Sequence, residues 1–414
     1  MSAIICALLF YSGAVKTQKT YSLKTLIPKN EINFITGKIC SNPVKQSSSF
    51  SSESFYSADF DVFEVSSKKN YVSQAKGKVK IFIPARFVEA FYPGKLYTLS
   101  KNKSAAVFES GSQLKLNVNA FAKSEEDIFF VNSAEKLKTE TTNLFSKAEK
   151  FRAVCRLQFK RLMFSWGKAG GLFLALLSGS KEYIENDIAQ AFKNAGLSHI
   201  LALSGMHLSV FAGSIAFIKK LVSKKIFALL NLSLIVVFLW FAGLTPSLLR
   251  AFLFTLIFSA ASLLRLEKPH PLNALSLTFL IHCVIKPSDI QSASFILSYG
   301  ALTGIFVIGS VLRFFLNKIV FQFVSNPICD SAGAQIFTMP VTAFMFKKII
   351  PAGIAASVIV SPLITLFLYT GFLGVILCLL LPFLSDVFCF AMTILYESVK
   401  IVVLFFASFK AISL

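Results

Sequence analysis

Charge is scarce in this sequence. Asp, Glu, Lys and Arg make up 15% of the 414 residues, against about 25% in soluble globular chains. The deficit argues against a water-soluble enzyme and points to lipid as the solvent, in line with 55% hydrophobic residues and a mean hydropathy of +0.66. Several chemistries are missing too. The seven cysteines (Cys6, Cys40, Cys155, Cys283, Cys329, Cys378, Cys389) form no C-x-x-C pair, and several fall inside apolar runs, where a thiol acts as a small hydrophobe. Neither a disulfide framework nor a metal site is indicated, and no cofactor is expected. Gly167-Lys168-Ala169-Gly170-Gly171 lacks the G-x-x-x-x-G-K-[ST] spacing that cradles nucleotide phosphates, and G-x-S-x-G is absent.

Acidic residues are the scarcer charge: 21 against 42 Lys and Arg, for a net charge of +21. An excess of this size suits a polyanion, either nucleic acid or an anionic lipid surface. It equally suits a multi-pass protein that fixes its topology with basic cytoplasmic loops.

The apolar residues are unevenly spread, and the shift marks domains. Residues 1–16 hold a short apolar segment, too short for a comfortable span of about 20 residues; it fits a signal-like anchor or the remnant of a longer hydrophobic start. From about residue 30 the period is two: Val79, Ile81 and Ile83 alternate with Lys78, Lys80 and Phe82, and Leu114, Leu116 and Val118 with Lys115, Asn117 and Asn119. Residues 33–40, 58–65 and 95–99 add further strands, with Pro93-Gly94 as a turn and the serine-rich 47–54 as a loop. The result is a small all-β domain over 30–135, for which an OB-like barrel is the natural candidate. Helical spacing then runs over 134–166, and residues 136–168 carry nine Lys or Arg against Glu140 and Glu149. A basic amphipathic helix at 136–169 suits a membrane surface or, alternatively, guidance of a nucleic acid.

After Gly170 apolar runs follow closely, at about 200–218, 226–243, 247–264, 272–285, 294–312, 331–346, 350–370, 371–389 and 391–408. The fold expected is a polytopic α-helical membrane domain over 170–414 with about 8–10 membrane segments, some re-entrant, preceded by the soluble β domain. The densest basic loop, Lys219 to Lys225, should be cytoplasmic. Counting the 199–218 run as one crossing then puts the β domain on the outer face.

Polar groups inside such runs are functional candidates, because hydrocarbon makes them costly. On a continuous helix Ser204, His207 and Ser214 share an arc of about 80°, with His199 further round the same side. Gly205 and Gly213 offer close helix packing, and Arg250 lies within the 247–264 run. Ser204 with His207 raises an intramembrane hydrolase, although no acid is evident to orient the histidine. A small-solute permease is a further alternative, for which inverted repeats are expected and none is evident.

Residues 194–208, NAGLSHILALSGMHL, resemble the signature of ComEC-type competence proteins, in which A-G-L-S-H precedes S-G-x-H at the head of the membrane domain. Further pieces follow in that family's order: Gly243-Leu244-Thr245-Pro246-Ser247-Leu248-Leu249-Arg250-Ala251, Arg265 with Pro271-Leu272-Asn273-Ala274, and Ser294-Phe295-Ile296-Leu297-Ser298-Tyr299. The family usually has glutamine where Ile296 stands. Longer members carry a metallo-β-lactamase-like domain with an H-x-H-x-D-H cluster; no such cluster occurs up to Leu414, so a nuclease role is not carried over. The resemblance implies a multi-pass inner-membrane channel that passes single-stranded DNA during natural transformation, without catalysis of its own. It also implies an external DNA receptor, a cytoplasmic helicase-like ATPase and a nuclease on another chain, with a homo-oligomer left open. The path would be lined by His199, Ser204, His207, Ser214, Arg250 and Ser298. Before it, DNA contacts would fall to Lys78, Lys80 and Lys115 of the β domain and to Arg152, Arg156, Lys160 and Arg161 of the basic helix. Aromatics of the β domain (Tyr56, Phe60, Phe63, Tyr71, Phe82, Tyr97) are candidates for stacking bases.

Overall fold

Alternation of apolar and polar residues builds the N-terminal half. The computed structural model describes residues 21–46, 54–68, 71–90, 107–120, 127–136, 144–180, 183–216, 220–319, 321–409 and 412–413, which fall into two units, 18–174 with 180–183, and 175–179 with 184–414. The first unit holds seven strands: β1 (Ser22–Lys24), β2 (Ile32–Ile39), β3 (Val44–Gln46), β4 (Phe55–Ser67), β5 (Val72–Pro84), β6 (Gln113–Ala120) and β7 (Ile128–Lys136), with a short helix α1 (Ala85–Glu89) after β5. Five of them close a circuit, β2-β4-β5-β7-β6 and back to β2, with every pairing antiparallel except β5 with β7. Every second side chain therefore points inward. Ile35, Ile39, Tyr56, Phe60, Val79, Ile81, Ile83, Leu116 and Val118 are fully enclosed in this core.

The strands over 33–40 and 58–65 and those around 79–83 and 114–118 stand where alternation put them. Expected features at 47–53, 93–94 and 95–99 lie outside the described residues. Residues 134–136 complete β7, and the helix α2 begins only at Leu144 and runs to Ser165. Ile128 to Val131 is a continuous apolar run with no alternation to reveal it, and its pairing with β6 is what makes it a strand.

Apolar runs build the second unit. Its helices are α3 (Gly167–Ser178, begun in the first unit), α4 (Asn186–Asn194), α5 (Ser198–Leu201), α6 (Gly205–Gly213), α7 (Lys224–Ala242), α8 (Pro246–Leu263), α9 (Pro271–Ile285), α10 (Ala293–Leu316), α11 (Gln322–Phe346), α12 (Gly353–Leu380) and α13 (Ser385–Ala407). Among the described residues five of them, α7, α8, α10, α12 and α13, are long and apolar enough to cross a membrane. Large apolar side chains such as Ile359, Leu366, Leu373 and Ile376 stay exposed along α12, as lipid contact allows. Helices α10 and α11 approach so closely that a Cβ on Gly304 would lie 2.2 Å from the carbonyl oxygen of Gly333, and α10 widens there into a π-helical turn, Ile305–Gly309.

Three expected runs differ. The 350–370 and 371–389 runs are largely one helix, α12, ending at Leu380. The 199–218 run is not a single helix: it breaks at Ala202–Ser204 into α5 and α6. At about 1.5 Å per residue, neither piece crosses a bilayer alone, so the count that placed the β domain outside lacks its continuous first span.

Candidate functional site

The break at 202–204 is set by local hydrogen bonding. Ser204 is the N-cap of α6 and His207 its third residue, and the two side chains close a reciprocal cap. The Ser204 backbone N–H donates to His207 Nδ1 at 3.2 Å, and Ser204 Oγ lies 3.0 Å from the same nitrogen. Nδ1 acting as acceptor leaves the ring proton on Nε2. His207 is fully buried, and among the described residues its Nε2 has no hydrogen-bond partner.

Helix α8 begins at the same place. Thr245 caps it by accepting from the Leu248 N–H, and Pro246 pre-sets the first turn. Arg250 follows one turn in, 7% exposed. Its Nη1 donates to the carbonyl of Ser298 in α10 at 2.5 Å, while its Nε has no partner among the described residues. Its Nη2 lies against Gly205, the first residue of α6, where a Cβ would come within 2.9 Å. Among the described residues no carboxylate forms an ion pair with Arg250. Ser204, Gly205, His207, Arg250 and Ser298 therefore belong to one cluster, with Ser298 contributing its carbonyl rather than its hydroxyl.

The other expected path residues stand apart. His199 is exposed in α5, across the break. Ser214 caps the far end of α6, where its hydroxyl donates to the Phe211 carbonyl at 2.7 Å. The shared arc fails because Ser204 precedes the helix and His199 belongs to another. Gly213 does pack closely, as a Cβ there would meet the Tyr369 hydroxyl at 2.6 Å.

A second polar group lies between α9 and α10. His282, fully buried, has Nδ1 3.2 Å from the Tyr299 hydroxyl and Nε2 3.3 Å from Asp289 Oδ2, and Tyr299 donates to the Thr278 carbonyl at 3.3 Å. The sequence signal for it was present, an ionisable residue inside the 272–285 run; its partners lie 7 and 17 positions away, and only folding brings them together.

In the β domain the basic residues are largely spoken for. Lys78 sits opposite Asp61, Lys80 opposite Asp59 and Lys115 opposite Glu135 across the ladders, and the Lys80 and Lys115 ammonium groups lie over the Tyr21 and Phe34 rings. Arg156 and Lys160, expected on a nucleic-acid or membrane surface, are 1% exposed and pair with Glu109 at 3.4 and 2.5 Å. Arg161 is 5% exposed and Arg152 half-buried. Burial lowers the pKa of Arg152, and neighbouring Arg156 lowers it further. The basic stripe of α2 is thus turned into its own domain, where Glu109 offsets the desolvation of Arg156 and Lys160. Of the aromatics, Tyr56 and Phe60 are core, Phe63 and Tyr71 are exposed, and Tyr97 lies outside the described residues. Phe82 stacks on Phe130 with ring centroids 5.3 Å apart, and Phe55 meets Phe130 edge-on at 5.9 Å. Among the described residues no group of three or more His, Cys, Asp or Glu is placed to hold a metal ion.

ComE operon protein 3 of Bacillus subtilis (strain 168) is 22% identical over 215 residues, covering 50% of this chain and 26% of that protein. The chain thus spans about a quarter of the length of the curated relative it matches. No solved structure matches it. The family model described as competence protein matches residues 176–414, more than half of the 414 residues, and the chain belongs to that family.

Proposed function

We propose that the chain is a channel that passes single-stranded DNA across the cytoplasmic membrane during natural transformation. The observation that carries this reading is Arg250, a buried guanidinium in an apolar helix with no carboxylate to neutralise it. Arg250 stands one turn inside its span; a cation drawn out of water there costs free energy, on the order of 2.5–3.5 kcal/mol at a span's centre and less toward its ends. Such a group is worth keeping where a polyanion must be met. Sparse positive groups suit conduction, since tight sites would hold the strand instead of passing it. The broken α5–α6 segment supports the same reading, because irregular backbone at membrane depth is tolerated where it lines a cavity.

The circuit β2-β4-β5-β7-β6, with its one parallel pairing, has the order of an OB-type barrel. On this reading the β domain faces outward and receives the strand, with the Phe55, Phe82 and Phe130 group as its stacking surface. A broken helix can complete the crossing that this orientation needs. An external DNA receptor, a cytoplasmic helicase-like ATPase and a separate nuclease would supply capture, force and strand removal.

The hydrolase alternative has one favourable distance, Ser204 Oγ to His207 Nδ1. Against it, Nδ1 already accepts the Ser204 N–H, and Nε2 has no acid beside it. Transformation of a deletion strain tests the proposal. Loss of DNA reaching the cytosol, with surface binding retained, supports the channel; unchanged uptake refutes it.

A further inference from the structure

Two kinds of hydrogen-bond donor meet at the start of α6, and a third stands two residues into the helix. The first is the helix terminus itself, whose first-turn N–H groups lack intrahelical acceptors and carry the positive end of the helix dipole. The second is the Arg250 guanidinium, lying against Gly205 with its Nε unpartnered. The third is His207, fully enclosed, whose Nδ1 is committed to Ser204 and whose Nε2 is an orphan donor. Buried polar groups are ordinarily satisfied, and leaving one unpaired costs about 1–3 kcal/mol. Here one such side chain lies against Gly205 and the other stands two residues along the same helix; both are donors, and among the described residues no carboxylate pairs with either.

We infer that Arg250, His207 and the N-terminus of α6 form a discrete anion site that takes one phosphodiester group. The inference rests on the channel reading for the source of that phosphate, the backbone of the transported strand. Phosphate fits the donor set because its oxygens accept from a guanidinium fork, an imidazole N–H and helix amides at once. The Ser298 carbonyl holds Nη1, leaving Nε and Nη2 for the ligand. Gly205 is then a specificity residue: it is the opening through which Arg250 reaches the helix end. A methyl there would meet Nη2 at 2.9 Å. The tip of a flexible side chain can yield to it, so the fold survives while the guanidinium is displaced.

The test uses the full chain in nanodiscs of neutral lipid, and a base-free deoxyribose-phosphate oligomer as probe. The oligomer is expected to bind the wild type and to be displaced by inorganic phosphate. Arg250→Gln and Gly205→Ala should each weaken binding by about tenfold, with unchanged thermal unfolding for Gly205→Ala. Equal binding by wild type and Gly205→Ala, with only Arg250→Gln impaired, would reduce the site to a diffuse charge and overturn the inference. A difference seen only in discs containing phosphatidylglycerol would assign the site to a lipid headgroup and overturn the strand as its source. Because binding is measured without transport, absence of a site here and loss of the channel reading in the deletion strain are separate outcomes.

Discussion

Arg250 in α8 and Ser298 in α10 are joined by a hydrogen bond from Nη1 to the backbone carbonyl, 2.5 Å long, across 48 residues of sequence. The bond anchors one arm of the guanidinium. Arg250→Ala should leave membrane abundance intact and strongly reduce DNA uptake. Arg250→Lys keeps the charge but lacks the fork that can bond Ser298 and a second acceptor together, so it should also be impaired. Uptake assays with immunoblotted membrane levels check both; wild-type uptake in the alanine variant would remove Arg250 from the path.

His207 separates lining from catalysis. Asparagine can accept the Ser204 N–H through its carbonyl and donate inward through its amide, but it is no general base. His207→Asn should therefore retain measurable transformation, and His207→Leu much less. A hydrolase would lose activity by several orders of magnitude at either Ser204 or His207. If His207→Asn and Ser204→Ala both matched a deletion at normal abundance, the catalytic reading would replace the lining one.

Glu109 is the carboxylate that pairs with the buried Arg156 and Lys160. Removing one partner from a buried charge cluster leaves uncompensated charge, at a cost on the order of 3 kcal/mol. Glu109→Gln should lower the unfolding temperature of the β domain markedly, whereas Lys76→Gln, at an exposed strand position, should change it little. Equal effects would show that the cluster contributes nothing special.

The strands were legible where one face is buried, as at Val79, Ile81 and Ile83, because period two is imposed by the pleat. Helices α7, α8 and α9 were legible from long apolar runs. The roles of Arg156 and Lys160 were not: their spacing looks like a solvent-facing stripe, and Glu109, which buries them, lies more than 40 residues earlier. The break before α6 was hidden by the apolar Leu201, Ala202 and Leu203, although Ser204 three residues before His207 has the spacing of a reciprocal cap. Arg250 could be singled out from sequence because a charge in a span stands out; its contact with Gly205 could not, since that depends on how α6 and α8 meet.

On the proposed reading the basic loop before α7 is cytoplasmic and the β domain lies outside. Ser223→Cys should be labelled by a membrane-impermeant maleimide only in inverted vesicles, and Gln74→Cys, on β5, only in cells made permeable to the outer face, both in a chain with the exposed Cys40 replaced by serine. Labelling of both positions from one side would show that α5 and α6 do not complete a crossing and would place the β domain in the cytoplasm.

The most direct measurement follows the strand itself. A photoreactive amino acid at Met206, half-buried in α6, is compared during uptake of labelled DNA with one at Ile376, exposed on α12. The account predicts crosslinks to incoming single-stranded DNA at position 206 and none at 376. Uptake proceeding normally with no crosslink at 206, or with equal crosslinking at both positions, would contradict it.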